Sequence, residues 1–255
     1  MSRLAAVSMV VVLCAASLIA RQEPPPAPPV QRLGGNIRAT PVSGPLPRRA
    51  DGKPDLTGVW VGGLPVGDIV QGLPKGETIP LLPEARKIME AQQAKDDPQA
   101  HCLPVPPPRA TPYPWRVVTT PTHAFFLYEM YNYRQVFMDG RPHPPADELD
   151  PKWYGHSIGW WEADTLVVDS VGFNGKIWFD NRGHVSTEKL HVVERYTRTD
   201  LGNMRIEVTI DDPGAYSRPF KVNGSARLMP KDDELLEYVC NENNQDVPFL
   251  VGPRL

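Results

Sequence analysis

His156 opens the stretch of this 255-residue sequence that is richest in usable chemistry. The run Gly155 to Asp169, GHSIGWWEADTLVVD, sets an imidazole, two adjacent tryptophans and two carboxylates around an expected turn. An imidazole exchanges protons near neutrality, so His156 is the natural acid or base. Glu162 and Asp164 are spaced to share acid and base roles, although acids in turns commonly serve to cap the turn. A second constellation is Tyr133 to Pro144, YRQVFMDGRPHP. There Arg134 or Arg141 can hold a carboxylate or enolate through a two-pronged contact, and Asp139 can orient a cation. Glu129 lies between Leu127 and Tyr131 on one face of an otherwise apolar strand. If that face is inward, Glu129 is either paired or raised in pKa, and both mark a site. The expected catalytic set is His156, Asp139, Glu162, Arg141 and Glu129. Trp160, Trp161, Arg134 and Tyr131 are the expected ligand contacts, the two tryptophans offering aromatic surface on opposite sides of one strand.

Strands must position these groups. The arms on either side of Glu162-Ala163-Asp164 alternate with the period of two that a half-buried strand requires, which places His156, Ile158 and Trp160 on one face. We expect that face to look inward. Further strands follow in close succession: Arg116–Thr120, His123–Tyr131, Tyr133–Asp139, Leu190–Thr199, Met204–Asp211, Arg218–Val222, Ser225–Met229 and Leu235–Cys240. Leu56 to Val61 form the first. Leu201-Gly202-Asn203 and Asn223-Gly224 read as hairpin turns, the latter because a type I′ turn needs positive φ at both central residues. Thr78 to Ala94 is the one expected helix, opening on Pro83-Glu84. The fold expected is all-β: an antiparallel meander closed into a calycin-like barrel, with a β-sandwich as the alternative.

Residues 1–20 have the short charged start and apolar run of an export signal, and residues 21–54, with nine prolines, read as a disordered tether. The domain is expected over 55–255. Export makes the protein periplasmic or secreted, without stable insertion in a membrane once the signal is removed. Cys102 and Cys240 then remain for a disulfide in an oxidising compartment. A net charge of −3 without basic clusters gives no footprint for nucleic acid. No Walker loop, dinucleotide fingerprint or nucleophile elbow is present, so no cofactor is expected. The six histidines show no metal-binding spacing, so no metal site is expected unless the fold alone brings ligands together.

Two resemblances add to this. Gly58-Val59-Trp60 is similar to the Gly-x-Trp signature of lipocalins and other calycin barrels. The segments DGKPDLTGVW, RQVFMDGRPHP, GHSIGWWEADTLVVDSVGF, LHVVERYTR and EYVCNEN resemble those of a large family of exported bacterial proteins. This second resemblance covers most of the mature chain, and it implies a pattern without a mechanism. Ala163 stands where that family usually has glycine, so the turn must either avoid positive φ or accept strain.

Two functions follow as expectations. One is a cofactor-independent enzyme that performs acid/base chemistry, such as isomerisation, cyclisation, elimination or hydrolysis, on a small partly apolar molecule in a barrel pocket. The other is a lipocalin-like protein that binds such a molecule unchanged. An envelope protein using an exposed sheet edge is a third, structural reading.

Overall fold

Alternating burial runs through nearly every strand, and pairing of the last strand with the first closes the sheet into a ring. A computed structural model describes residues 42–110, 113–130, 132–242 and 245. The expected signal segment and Tyr131 lie outside the described residues. Among the latter, nine strands form one closed barrel: β1 (Val59–Gly63), β2 (Trp115–Thr119), β3 (His123–Tyr128), β4 (Asn132–Phe137), β5 (His156–Glu162), β6 (Thr165–Val171), β7 (His191–Arg198), β8 (Asn203–Asp211) and β9 (Phe220–Leu228). β9 pairs with β1 and removes both edges.

The barrel is mixed rather than purely antiparallel. Eight neighbouring pairs are antiparallel, and β4 runs parallel to β5 through Val136↔Ser157 and Phe137↔Ile158. Closure demands this. Around a ring the number of antiparallel neighbours must be even, so nine strands need an odd number of parallel pairs. The long connection after Phe137 supplies the crossover that a parallel pair requires, and it carries Asp139, Arg141 and His143.

Other departures from expectation have local causes. Asn223-Gly224 is no hairpin: β9 passes straight through it, Asn223 facing Glu207 and Gly224 facing Ile206 on β8. A Cβ on Gly224 would lie 2.2 Å from the Gly63 carbonyl oxygen, so this glycine admits the close approach of β1 rather than a turn. Residues 235–240 form no strand. The helix, α1, is confined to Pro83–Ala91. The β5–β6 turn does accept strain, with Ala163 at φ +51°.

Part of the stretch expected as tether is folded on the barrel. The Leu201 N–H donates to the Gly44 carbonyl at 3.0 Å, and Arg48 pairs with Asp164. Trp60 is fully buried, donates through Nε1 to the Leu56 carbonyl at 3.0 Å, and lies under the Arg198 guanidinium at 4.9 Å. The Cys102–Cys240 disulfide ties the segment after the Pro98–His101 3₁₀ turn to the C-terminal region.

Candidate functional site

Inward positions on β3, β4, β5, β6 and β7 bring a polar cluster into an otherwise apolar lumen. Arg134 on β4 and Glu194 on β7 are an ion pair, 2% and 1% exposed. Arg134 Nε donates to Ser157 Oγ at 3.0 Å, and Nη2 donates to Ser170 Oγ. Tyr196 Oη donates to Glu194 Oε1 at 2.6 Å. Burial opposes the charge on Arg134 most strongly, and Glu194 together with Tyr128 and Tyr196 outweighs that penalty. Burial pushes the Tyr128 and Tyr196 phenols far above their ordinary value, so both remain hydroxyl groups.

Hydrogen bonding in this cluster is incomplete. Arg134 Nη1 and Glu194 Oε2 touch without an aligned hydrogen bond, and Tyr128 Oη and Tyr154 Oη have no aligned partner. Unsatisfied polar groups in a core are costly and call for an explanation. Tyr128, Glu194 and Tyr196 line a cavity whose other walls include Trp115, Phe126 and Ile206. Its free volume is about 20 Å³, roughly the space of one water. Pro107, Pro108 and Ala110 form part of its wall. Arg109 pins their loop, donating to both Asp97 carboxylate oxygens at 2.8 and 2.7 Å and to Asn181 Oδ1 at 2.7 Å. A larger molecule needs that loop to move.

The outer face of the same strands carries a second cluster. His156, Ile158 and Trp160 point outward, the reverse of the expected orientation, while Ser157, Gly159 and Trp161 point in. Both faces of β5 carry apolar or aromatic groups, so the period of two did not reveal which was buried. His156 stacks on Phe137 with ring centres 5.2 Å apart, and its Nδ1 is 2.8 Å from His143 Nδ1. His143 Nε2 lies 3.2 Å from Asp169 Oδ1, and His191 Nε2 lies 2.7 Å from the same oxygen. Burial and the neighbouring His143, Arg141 and Lys152 hold the His156 ring below its ordinary pKa. Asp169 raises that of His191 through their hydrogen bond.

The remaining expected residues scatter. Asp139 and Arg141 pair with each other, and the Arg141 guanidinium sits 4.1 Å from the centre of Phe137, next to His156. Glu162 is six residues from His156 on β5, about 20 Å away along the strand. It is exposed, accepts from Trp160 Nε1 at 3.0 Å and pairs with Arg195. Glu129 accepts the Leu236 backbone N–H at 3.1 Å, which anchors the C-terminal segment. Trp161 packs against the core, and Trp160 is 39% exposed outside. Among the described residues of the expected set, Arg134 alone reaches the lumen cluster. Tyr128, Tyr196, Ser157 and Ser170 were missed. The alternation of β7, which puts Glu194 and Arg195 on opposite faces, is the one signal in the sequence that bears on Glu194.

Asp68, Asp180 and His184 also converge, with ligand atoms within 4.8 Å of one another. Their geometry is explained without an ion. Asp180 accepts the Ile69 N–H at 2.7 Å, the His184 N–H at 3.2 Å and His184 Nδ1 at 2.7 Å, which together stitch two loops.

No family model matches the chain, and neither a curated protein nor a solved structure is significantly similar to it.

Proposed function

We propose that the chain is an exported, cofactor-independent enzyme that performs acid/base chemistry on a small, partly apolar molecule inside the barrel. The observation that carries this reading is that Tyr128 Oη and Glu194 Oε2, at residues lining the lumen cavity, lack an aligned hydrogen bond, with the Arg134 guanidinium paired to Glu194 behind them. In this reading the Glu194 carboxylate accepts a proton from the substrate. The Arg134 guanidinium and the Tyr128 hydroxyl stabilise the oxyanion that develops, in a site from which water is excluded. Trp115, Phe126 and Ile206 receive the apolar part. The Cys102–Cys240 bridge supports an oxidising compartment and hence export.

Binding without turnover is the second reading, and the mainly apolar lining of the cavity favours it. One experiment separates the two. The protein is incubated in D₂O with a panel of small enolisable ketones and esters, and deuterium uptake and hydrolysis are followed by NMR. The enzyme reading expects turnover that falls at least 100-fold in Glu194→Gln and about 10-fold in Tyr128→Phe. Saturable binding of a panel member without turnover moves the assignment to a carrier.

A further inference from the structure

The outer cluster stands apart from the lumen, and two of its imidazoles meet nitrogen to nitrogen. We propose that His143 and His156 bind a divalent transition-metal ion, Zn²⁺ or Cu²⁺, through their Nδ1 atoms, with Asp169 holding His143 from behind.

Three observations carry it. First, two ring nitrogens of the same kind face each other: His143 Nδ1 and His156 Nδ1 are 2.8 Å apart. Two imidazole ligands of one tetrahedral ion, each bound at about 2.0–2.1 Å, place their nitrogens about 3.3 Å apart, so a small ring rotation admits the ion. Second, Asp169 is placed as the carboxylate behind a metal-bound histidine. It accepts from His143 Nε2 at 3.2 Å, which assigns the proton to that nitrogen and leaves the Nδ1 lone pair directed at His156. Third, all of these residues but His143, which lies on the β4–β5 connection, stand on paired strands. His156, Asp169 and His191 come from the adjoining strands β5, β6 and β7, and stacking on Phe137 fixes the His156 ring.

The charge balance is compatible with a cation. Asp169 brings one negative charge, and the nearby Arg141 is tied to Asp139. The three histidines and Asp169 are partly exposed, so water or a small anion can complete the coordination sphere. Imidazole nitrogen selects for zinc, copper or nickel over magnesium and calcium. His191, which shares Asp169 Oδ1, completes the frame from the far side.

The test is calorimetric titration of the full chain, purified without a histidine tag, with ZnCl₂ and separately with CuCl₂. One ion per chain is expected, with a dissociation constant in the micromolar range or tighter. His143→Gln and His156→Gln should each weaken binding at least 10-fold. Asp169→Asn should weaken it about 10-fold, as loss of an outer-shell carboxylate does. Asp180→Asn should leave it unchanged. Copper-nitrogen couplings from two imidazoles in the electron paramagnetic resonance spectrum of the wild type provide a readout that needs no variant. Absence of one-site binding for both metals overturns the proposal. So does binding that His143→Gln and His156→Gln leave within twofold, or that Asp180→Asn abolishes.

Discussion

The two faces of β5, β6 and β7 carry polar groups of similar kinds and put them in opposite circumstances. Inside, Ser157, Ser170 and Glu194 surround Arg134 in the buried lumen. Outside, His156, Asp169 and His191 line up within reach of solvent, joined by His143 from the β4–β5 crossover. Burial therefore decides what each charge does. A carboxylate in the lumen is locked to one cation, and removing either partner strands the other in low dielectric. A carboxylate on the outer face is screened and free to orient two imidazoles.

The largest effect expected is that of the disulfide, which anchors the segment leading into the Pro107–Ala110 part of the cavity wall. Replacing Cys102 and Cys240 with serine opens a loop of 138 residues in sequence, for which the chain-entropy account gives a loss of about 4–5 kcal/mol. Denaturation monitored by tryptophan fluorescence measures it. The comparison sharpens if the same variant binds apolar ligands in the lumen faster while the outer cluster's affinity for Zn²⁺ is unchanged.

Next comes the buried pair. Glu194→Leu should cost about 3–5 kcal/mol because Arg134 is left uncompensated, whereas the double variant Arg134→Met with Glu194→Leu should recover most of that loss. On the outer face, Asp169→Asn should change stability by less than about 1 kcal/mol. Equal losses from Glu194→Leu and Asp169→Asn in urea titrations would break the contrast between the faces.

These assignments show which features were legible in the sequence. Strand alternation such as that from Met204 to Asp211 maps directly onto buried and exposed sides, and closure of the ring followed from many short links. Orientation of β5 was not legible. Ser157 and Gly159 are buried there while Ile158 and Trp160 face outward, because small inward residues leave room for Val136 and Met138 of the neighbouring β4 and its C-terminal end. The lumen pair was hidden for a different reason. Arg134 and Glu194 lie far apart in sequence and meet only once the barrel closes, so no local spacing announces them. The same holds for His143, which reaches His156 and Asp169 only because one strand pair is parallel.

Smaller in effect is Gly224→Ala. The added Cβ would meet the Gly63 carbonyl oxygen at 2.2 Å, so β1 must shift at the point where the barrel closes. Overpacking of this kind typically costs about 1–3 kcal/mol. The loss should be accompanied by faster amide exchange in β1 and β9, with the β5–β7 amides unaffected. If exchange rises uniformly around the ring, closure is cooperative and the two faces cannot be perturbed independently.

The smallest expected effect is at the rim of the outer cluster. The hydrogen bond from Arg141 holds the Asp139 carboxyl at about 2, below the ordinary carboxylate range. A carboxyl whose pKa is lower folded than unfolded adds stability above its unfolded value, near 3.9, and loses that contribution as pH falls toward 2. Because Asp139 and Arg141 are largely in contact with solvent, the gain is small and salt should erode it. Carbon-detected NMR titration should therefore find the Asp139 midpoint near 2 at low salt. Arg141→Gln should move it upward toward the ordinary value. A midpoint already at the ordinary value in the wild type would show that Arg141 is not held by Asp139, leaving its positive charge beside His156 to compete with a bound cation.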